Sequence, residues 1–202
     1  MTFDLYDFDK TVYRKDCSVE FWKFCLRHRP VLALMSPIQL LGVILMRFKR
    51  TNTLGKSLML SYIKHIDTDR FVQDFWIENR GLINPWFEPH RRSLPAVVCS
   101  ASPEFLLEGI CEELGVYKMI GTRVDKESGK MLGKNCKRQE KIVRLAECFD
   151  LEETVFKNAY SDSLKSDFPI LSLAENAYLV TNGMLRKIDV KNMKKPTDKI
   201  KA

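Results

Sequence analysis

The first twelve residues constrain the fold most. Thr2-Phe3-Asp4-Leu5-Tyr6 has the apolar content of a short, largely buried strand, and the chain turns abruptly acidic and polar at Asp7-Phe8-Asp9-Lys10-Thr11. Two carboxylates at the carboxyl end of a strand stand where open α/β sheets hold their ligands. Packed this closely they repel each other unless a cation or a proton sits between them. A hard divalent ion such as Mg²⁺, which takes oxygen ligands and keeps waters, fits that need. The plain alternative is a solvated acidic turn after an edge strand.

From Val12 onward the pattern is helical for about eighty residues. Helices are expected over 18–26 with Ser18 as N-cap, near 54–66, and near 68–80 with Asp67 or Thr68 as cap. A second buried strand is predicted at Leu94–Cys99, ending in Ser100-Ala101-Ser102-Pro103, with a helix from Pro103 and Glu104 to about Leu114. Residues 121–133 suggest a hairpin turning at Glu127-Ser128-Gly129. A helix over 138–149, a strand over 155–160, a helix near 168–175 and a strand over 177–180 complete the pattern. Strands alternating with helices imply an α/β fold, with a Rossmann-like, mostly parallel sheet and helices on both faces. On that reading residues 1–12 and 95–202 form the core, and residues 13–94 are an inserted, all-helical cap. The last ten or so residues, rich in Lys, are expected to be disordered.

Chemistry-bearing residues recur at the predicted strand ends and helix starts: Asp7 and Asp9, then Ser100, then the lysines Lys137 and Lys141, then Asp162 and Asp167. Each has a bland reading alone, as a helix cap, a solvated lysine or a turn former. Their common position lets one crevice collect them. Lys141, which precedes the apolar Ile142-Val143, is favoured over Lys137.

On these residues the chain resembles the haloacid dehalogenase superfamily, and within it the helical-cap subgroup that includes phosphoserine phosphatases. LYDFDKT matches the first motif, VVCS the second, and Asp162 with Asp167 the fourth; Ser161 stands where a glycine is common. The resemblance runs to about residue 182. It implies a phosphatase that hydrolyses a phosphate monoester through an aspartyl-phosphate, with Asp7 as nucleophile and Asp9 as acid and base. It further implies Mg²⁺ held by Asp7, the Asp9 backbone carbonyl and Asp162, with Asp167 in support. Ser100 and Lys141 would hold the phosphoryl oxygens. Asp16, nine residues after the nucleophile, stands where the phosphoserine phosphatases use an acid to bind the substrate amine. A receiver-type phosphoacceptor normally carries its aspartate on a middle strand and lacks so long an insertion. An inactive binding module on the same fold would not need every catalytic position filled.

Charge and cysteine usage bear on partners. The net charge of +7 is uneven: residues 21–56 carry seven Lys or Arg and no acid. That pattern, without any nucleic-acid module signature, argues against nucleic-acid binding. Within that stretch the run 31–46 is apolar except for Ser36 and Gln39. It is shorter than the roughly 20 residues needed to span a bilayer, and Pro37 interrupts it. A buried helical hairpin is the favoured reading; the other, peripheral contact to an anionic membrane and a phosphorylated-lipid substrate, is what a resemblance of this stretch to the cap of the superfamily's phosphatidylglycerophosphate phosphatases implies. The six cysteines show no metal-ligand spacing, and the first strand begins at residue 2, leaving no room for a leader. Free, mostly buried thiols in a cytoplasmic protein are therefore expected.

Overall fold

A computed structural model describes residues 1–193 apart from Arg47 and Lys49. The Lys-rich end expected to be disordered lies almost wholly outside the described residues.

Strand β1 (Thr2–Tyr6) lies inside a six-stranded sheet of order β3-β2-β1-β4-β5-β6. The partners are β2 (Ala96–Pro103), β3 (Lys118–Thr122), β4 (Val155–Ser161), β5 (Asn176–Thr181) and β6 (Met184–Ile188). β1 to β5 pair in parallel; β6 folds back antiparallel on β5. Alternation along β1 sends Phe3 and Leu5 to one face and Tyr6 to the other. Helix α5 (Glu104–Glu113) covers the Tyr6 face through Leu106, Leu107 and Ile110. Helices α6 (Gln139–Ala146) and α7 (Leu164–Leu173) cover the other through Leu145, Ile170 and Leu171. This is the α/β sheet with helices on both faces that the sequence predicts.

Several elements differ from expectation. The turn at 125–129 exists, with the Asp125 carboxylate accepting from the Ser128 N–H at 2.7 Å and Val124 bridging Met131. Its arms are short, the Asp125 N–H donating to Lys130 O at 2.8 Å and the Leu132 N–H to Arg123 O at 3.0 Å, so the expected hairpin spans 123–132 and the chain before it is the strand β3, paired in parallel with β2. Gly121 permits this pairing, because a Cβ there would lie 2.9 Å from Ser102 O. β6 was not anticipated; Asn182 (φ 51°) and Gly183 (φ 79°) make the tight two-residue turn into it. α7 starts earlier than 168 because Ser163 caps it, accepting from the Ser166 N–H at 3.2 Å.

Four helices fill the chain between β1 and β2: α1 (Cys17–His28), α2 (Ser36–Leu45), α3 (Asn52–Met59) and α4 (Thr68–Asn79), joined by short 3₁₀ turns. Asp16, not Ser18, caps α1, accepting from the Val19 N–H at 3.0 Å. Asp67 caps α4 in the same way. The helices share a continuous core with the sheet: Phe21, Tyr62, Phe75 and Trp76 pack in one cluster with Tyr6, Phe8, Val98 and Leu106.

The run 31–46 is not a buried hairpin. α2 meets α3 backbone to backbone at Gly42 and Gly55, where a Cβ on Gly55 would lie 2.6 Å from Gly42 O. No large side chain fits between helices that close. The buried residues of α2 are therefore Gln39 and Gly42, while Leu40 is 62% and Leu41 50% exposed. Pro37 opens α2 instead of interrupting it. Among the described residues no helix is long and apolar enough to cross a membrane.

Candidate active site

The order β3-β2-β1-β4-β5 reverses direction at β1, so the carboxyl ends of β1 and β4 flank the sheet's switch point, where such sheets bind ligands. Asp7 opens the segment leaving β1, and its N–H donates to Tyr160 O on β4 at 2.9 Å. The chain then curls: the Tyr13 N–H donates back to Phe8 O at 2.9 Å, and Lys10 adopts a left-handed conformation (φ 57°). Thr11 ties the curl to β4, its hydroxyl accepting from the Asp162 N–H at 2.9 Å. The solvated edge-strand reading of this acidic turn is thereby overturned, since β1 has a partner on each side and Asp7 is buried.

Lys141, in the first turn of α6, reaches into this end of the sheet. Its ammonium lies 2.6 Å from Asp7 Oδ1 and 2.7 Å from Asp167 Oδ1, and the residue is 1% exposed. Lys137 is exposed at the surface. Asp167 is held from its other side by the Ser161 hydroxyl, which donates to Oδ2 at 2.7 Å and accepts from the Ser163 N–H. Asp162 stands beside them, less buried. One carboxylate oxygen from each of Asp7, Asp162 and Asp167 lies within 4.8 Å of the others.

Asp9 faces another way. Its carboxylate accepts from the Ser102 hydroxyl at 2.6 Å and from the Cys17 N–H at 2.7 Å. Ser100, fully buried at the end of the regular part of β2, accepts from the Ser102 N–H at 3.1 Å. Asp16, the α1 cap, lies on a groove of about 1330 Å³ that is lined also by Asp162, Lys10, Arg14, Lys15, Glu20 and Arg91. Its four basic side chains outnumber its three acidic ones, Asp16, Glu20 and Asp162, by one, a small positive excess that suits an anionic ligand.

Burial raises the Asp7 carboxyl well above the usual carboxylate range; Lys141 opposes that shift, while Asp167 and Asp9 add to it. Burial also raises Asp162, with Asp167 adding and Lys10 opposing. For Lys141, burial alone would lower the ammonium, but Asp167 and Asp7 outweigh it and raise the pKa above that of an ordinary lysine. Burial, then Asp16, raises Asp9, and its hydrogen bonds from Cys17 and Ser102 hold part of the shift back. The Asp7, Asp162 and Asp167 oxygens are hard donors that repel one another, a set that fits a small divalent cation.

The structure therefore brings together Asp7, Lys141, Asp162 and Asp167, with Ser100 and Asp9 beside them on the β2 side. Sequence reasoning missed Ser102, Thr11 and Ser161, which hold the acidic groups in place. It also missed Lys56, a buried lysine on α3 that donates to Ala101 O and, at 2.9 Å, to Asn135 Oδ1. The alternating Ser100-Ala101-Ser102 was a signal for the first of these. Lys56 carried none, because nothing local marks a lysine in a helical stretch as buried.

Residues 5–172 match the family model described as haloacid dehalogenase-like hydrolase. A 95-residue stretch is 34% identical to the protein CicA of Caulobacter vibrioides, covering 43% of this chain and 41% of that protein. Among solved structures, a protein of unknown function from Bordetella pertussis Tohama I is similar at a TM-score of 0.70 and 20% identity, covering 87% of this chain and 88% of that one. A probable phosphoserine phosphatase from Vibrio cholerae is similar at a TM-score of 0.58 and 14% identity, over 87% of this chain and 55% of that one. These structural likenesses concern the fold. The match over residues 5–172 covers most of the chain, which belongs to the haloacid dehalogenase-like hydrolase family.

Proposed function

We propose that the chain is a Mg²⁺-dependent phosphoric monoester hydrolase that works through an aspartyl-phosphate on Asp7. The observation that carries this reading is the buried Lys141 ammonium, held between Asp7 and Asp167 at the switch point of the sheet. A cation so placed balances a carboxylate that must approach an anionic phosphoryl group.

In the first half-reaction an Asp7 carboxylate oxygen attacks phosphorus, and the bond from phosphorus to the ester oxygen breaks. Asp9, whose raised pKa suits a proton donor, protonates the departing oxygen. In the second, water attacks the phosphoryl group, Asp9 takes the proton, and the bond to Asp7 breaks to release phosphate. The Ser100 hydroxyl and Lys141 hold the phosphoryl oxygens through both. Asp7, Asp162 and the Asp9 backbone carbonyl would hold Mg²⁺, with Asp167 in support, and the ion would supply charge to offset repulsion between carboxylate and phosphate. Residues 1–12 and 95–202 serve as the catalytic core and residues 13–94 as a cap over it. Asp16, at the groove, is the candidate contact for an amine on the substrate, phosphoserine being one example. The substrate class is a small phosphometabolite or a phosphorylated lipid, and the setting is cytoplasmic.

Purified protein assayed against soluble and lipid phosphate monoesters, with Mg²⁺ and with EDTA, tests the reading. Phosphate release that requires Mg²⁺ is expected. Absence of release from every monoester, with a folded protein, would reject it.

A further inference from the structure

We infer that the α2–α3 hairpin is a docking surface for an anionic lipid leaflet. This rests in part on the phosphatase reading, which supplies its use, but the surface itself is independent of catalysis. A surface helix ordinarily turns its apolar stripe inward and its polar residues outward. α2 does the reverse. Its buried positions are Gln39, which accepts from the Trp22 indole N–H at 2.9 Å, and Gly42. Leu40, Leu41 and Ile44 face outward, and Leu34 before the helix and Leu54 after it are also exposed, at 80% and 54%. Leu40, Leu41 and Ile44, neighbours at helical spacing and all large and apolar, form an exposed face of the kind that marks a site of contact.

Charge selects the occupant. Residues 21–56 hold seven basic residues and no acid. Four are engaged within the fold: Lys23 pairs with Glu20, Arg27 with Glu78, Arg29 donates to His65 O, and Lys56 is buried. At the junction of α2 and α3 the sequence reads Arg47-Phe48-Lys49-Arg50, and Phe48 is 60% exposed. An apolar helix face ending in an aromatic residue among basic ones is complementary to a surface that is apolar inside and anionic outside. An anionic leaflet has both properties. At ten residues, α2 spans about 15 Å against the about 30 Å of a hydrocarbon core, so it can lie in the interface but not cross.

The hairpin is also rooted at the proposed site. Asn52 and Lys56, one turn apart on α3, both contact Asn135, and Lys56 reaches the backbone of Ala101, next to Ser100. A leaflet bound to the hairpin would therefore be held close to the phosphoryl-binding end of β2, which favours a phosphate monoester carried on a lipid.

The test is co-sedimentation of the full chain with vesicles of phosphatidylcholine alone and of phosphatidylcholine mixed with phosphatidylglycerol, at low and high salt. Binding to the mixed vesicles, weakened by salt, is expected. The double variant Leu40→Ser/Ile44→Ser should bind about ten-fold more weakly or worse, while its thermal midpoint and its turnover of a small soluble phosphate stay near wild type. No binding of the wild type to mixed vesicles at low salt overturns the inference. So does vesicle binding that the double variant leaves unchanged. If the wild type instead self-associates through this face, seen as a dimer that the double variant dissociates without any vesicle binding, the occupant is a second copy and the leaflet is rejected. Loss of turnover toward all monoesters with vesicle binding intact would count against the phosphatase reading and leave the docking surface standing.

Discussion

The Lys141 ammonium lies 2.6 Å from Asp7 Oδ1, although 134 residues separate them in sequence and both are buried. β1 delivers the carboxylate and the first turn of α6 delivers the cation, so the pair exists only when the parallel sheet and the helix on its face are both formed. A buried pair of this kind is costly to break from one side, because the partner left behind keeps its desolvation cost.

Lys141→Ala should therefore lower kcat by about 10² to 10³, the usual loss when a charge stabilising the transition state is removed. Lys137→Ala, at an exposed position, should stay within about two-fold, as surface changes generally do. Steady-state rates on one substrate compare the two, and the opposite ranking would move the role to Lys137.

The Asp9 carboxylate is expected to serve as the proton donor and acceptor. Asp9→Asn should slow phosphoenzyme formation by about 10² or more with alkoxide leaving groups, and far less with nitrophenolate, which leaves without protonation. Rapid-quench measurement of the first half-reaction reads this directly. Equal losses with both leaving groups would mean that Asp9 acts in another way.

Ser161→Ala removes the 2.7 Å hydrogen bond to Asp167 and the acceptor for the Ser163 N–H. A loss of about 1 to 3 kcal/mol in unfolding free energy is expected, because buried polar groups are left unpaired. Apparent Mg²⁺ affinity should fall with it, since Asp167 sits in the carboxylate cluster. Denaturant unfolding and Mg²⁺ titration of activity measure the two effects.

Lys56 should make stability rise with pH at the alkaline end. Burial pulls its ammonium down to about 8 from an ordinary 10.5, so between those values the unfolded chain holds a proton that the folded chain has lost. The unfolded state binds more protons there, and stability attributable to this group increases from about pH 8 to 10.5. Below 8 the lysine is charged in both states and its cost is present in full. The wild-type minus Lys56→Met difference in unfolding free energy should carry that slope; a flat difference would contradict it.

Much of the architecture was legible because it rests on local pattern. β1, β2, β4 and β5 are apolar runs with clear ends, and α1, α4 and α5 have apolar faces at helical spacing. The acidic, serine and lysine positions were legible because each stands at an end of one of these elements. What escaped depends on contacts between distant segments. β3 follows from the fit of Gly121 against Ser102, and the inside-out face of α2 follows from two glycines thirteen positions apart meeting. β6 is different, since its Asn182-Gly183 turn was present in the sequence as a local signal. The preference for Lys141 over Lys137, drawn from the apolar Ile142-Val143 that follows it, agrees with its place against Asp7 and Asp167.

The central claim is that Asp7 carries the phosphoryl group. Enzyme quenched during turnover of a phosphate monoester and treated with borohydride should contain homoserine at position 7, the product of reducing an aspartyl-phosphate, as read by peptide mass spectrometry. Asp7→Asn should give neither the modification nor turnover. Turnover in the Asp7→Asn variant, or the modification at another aspartate, would contradict the account.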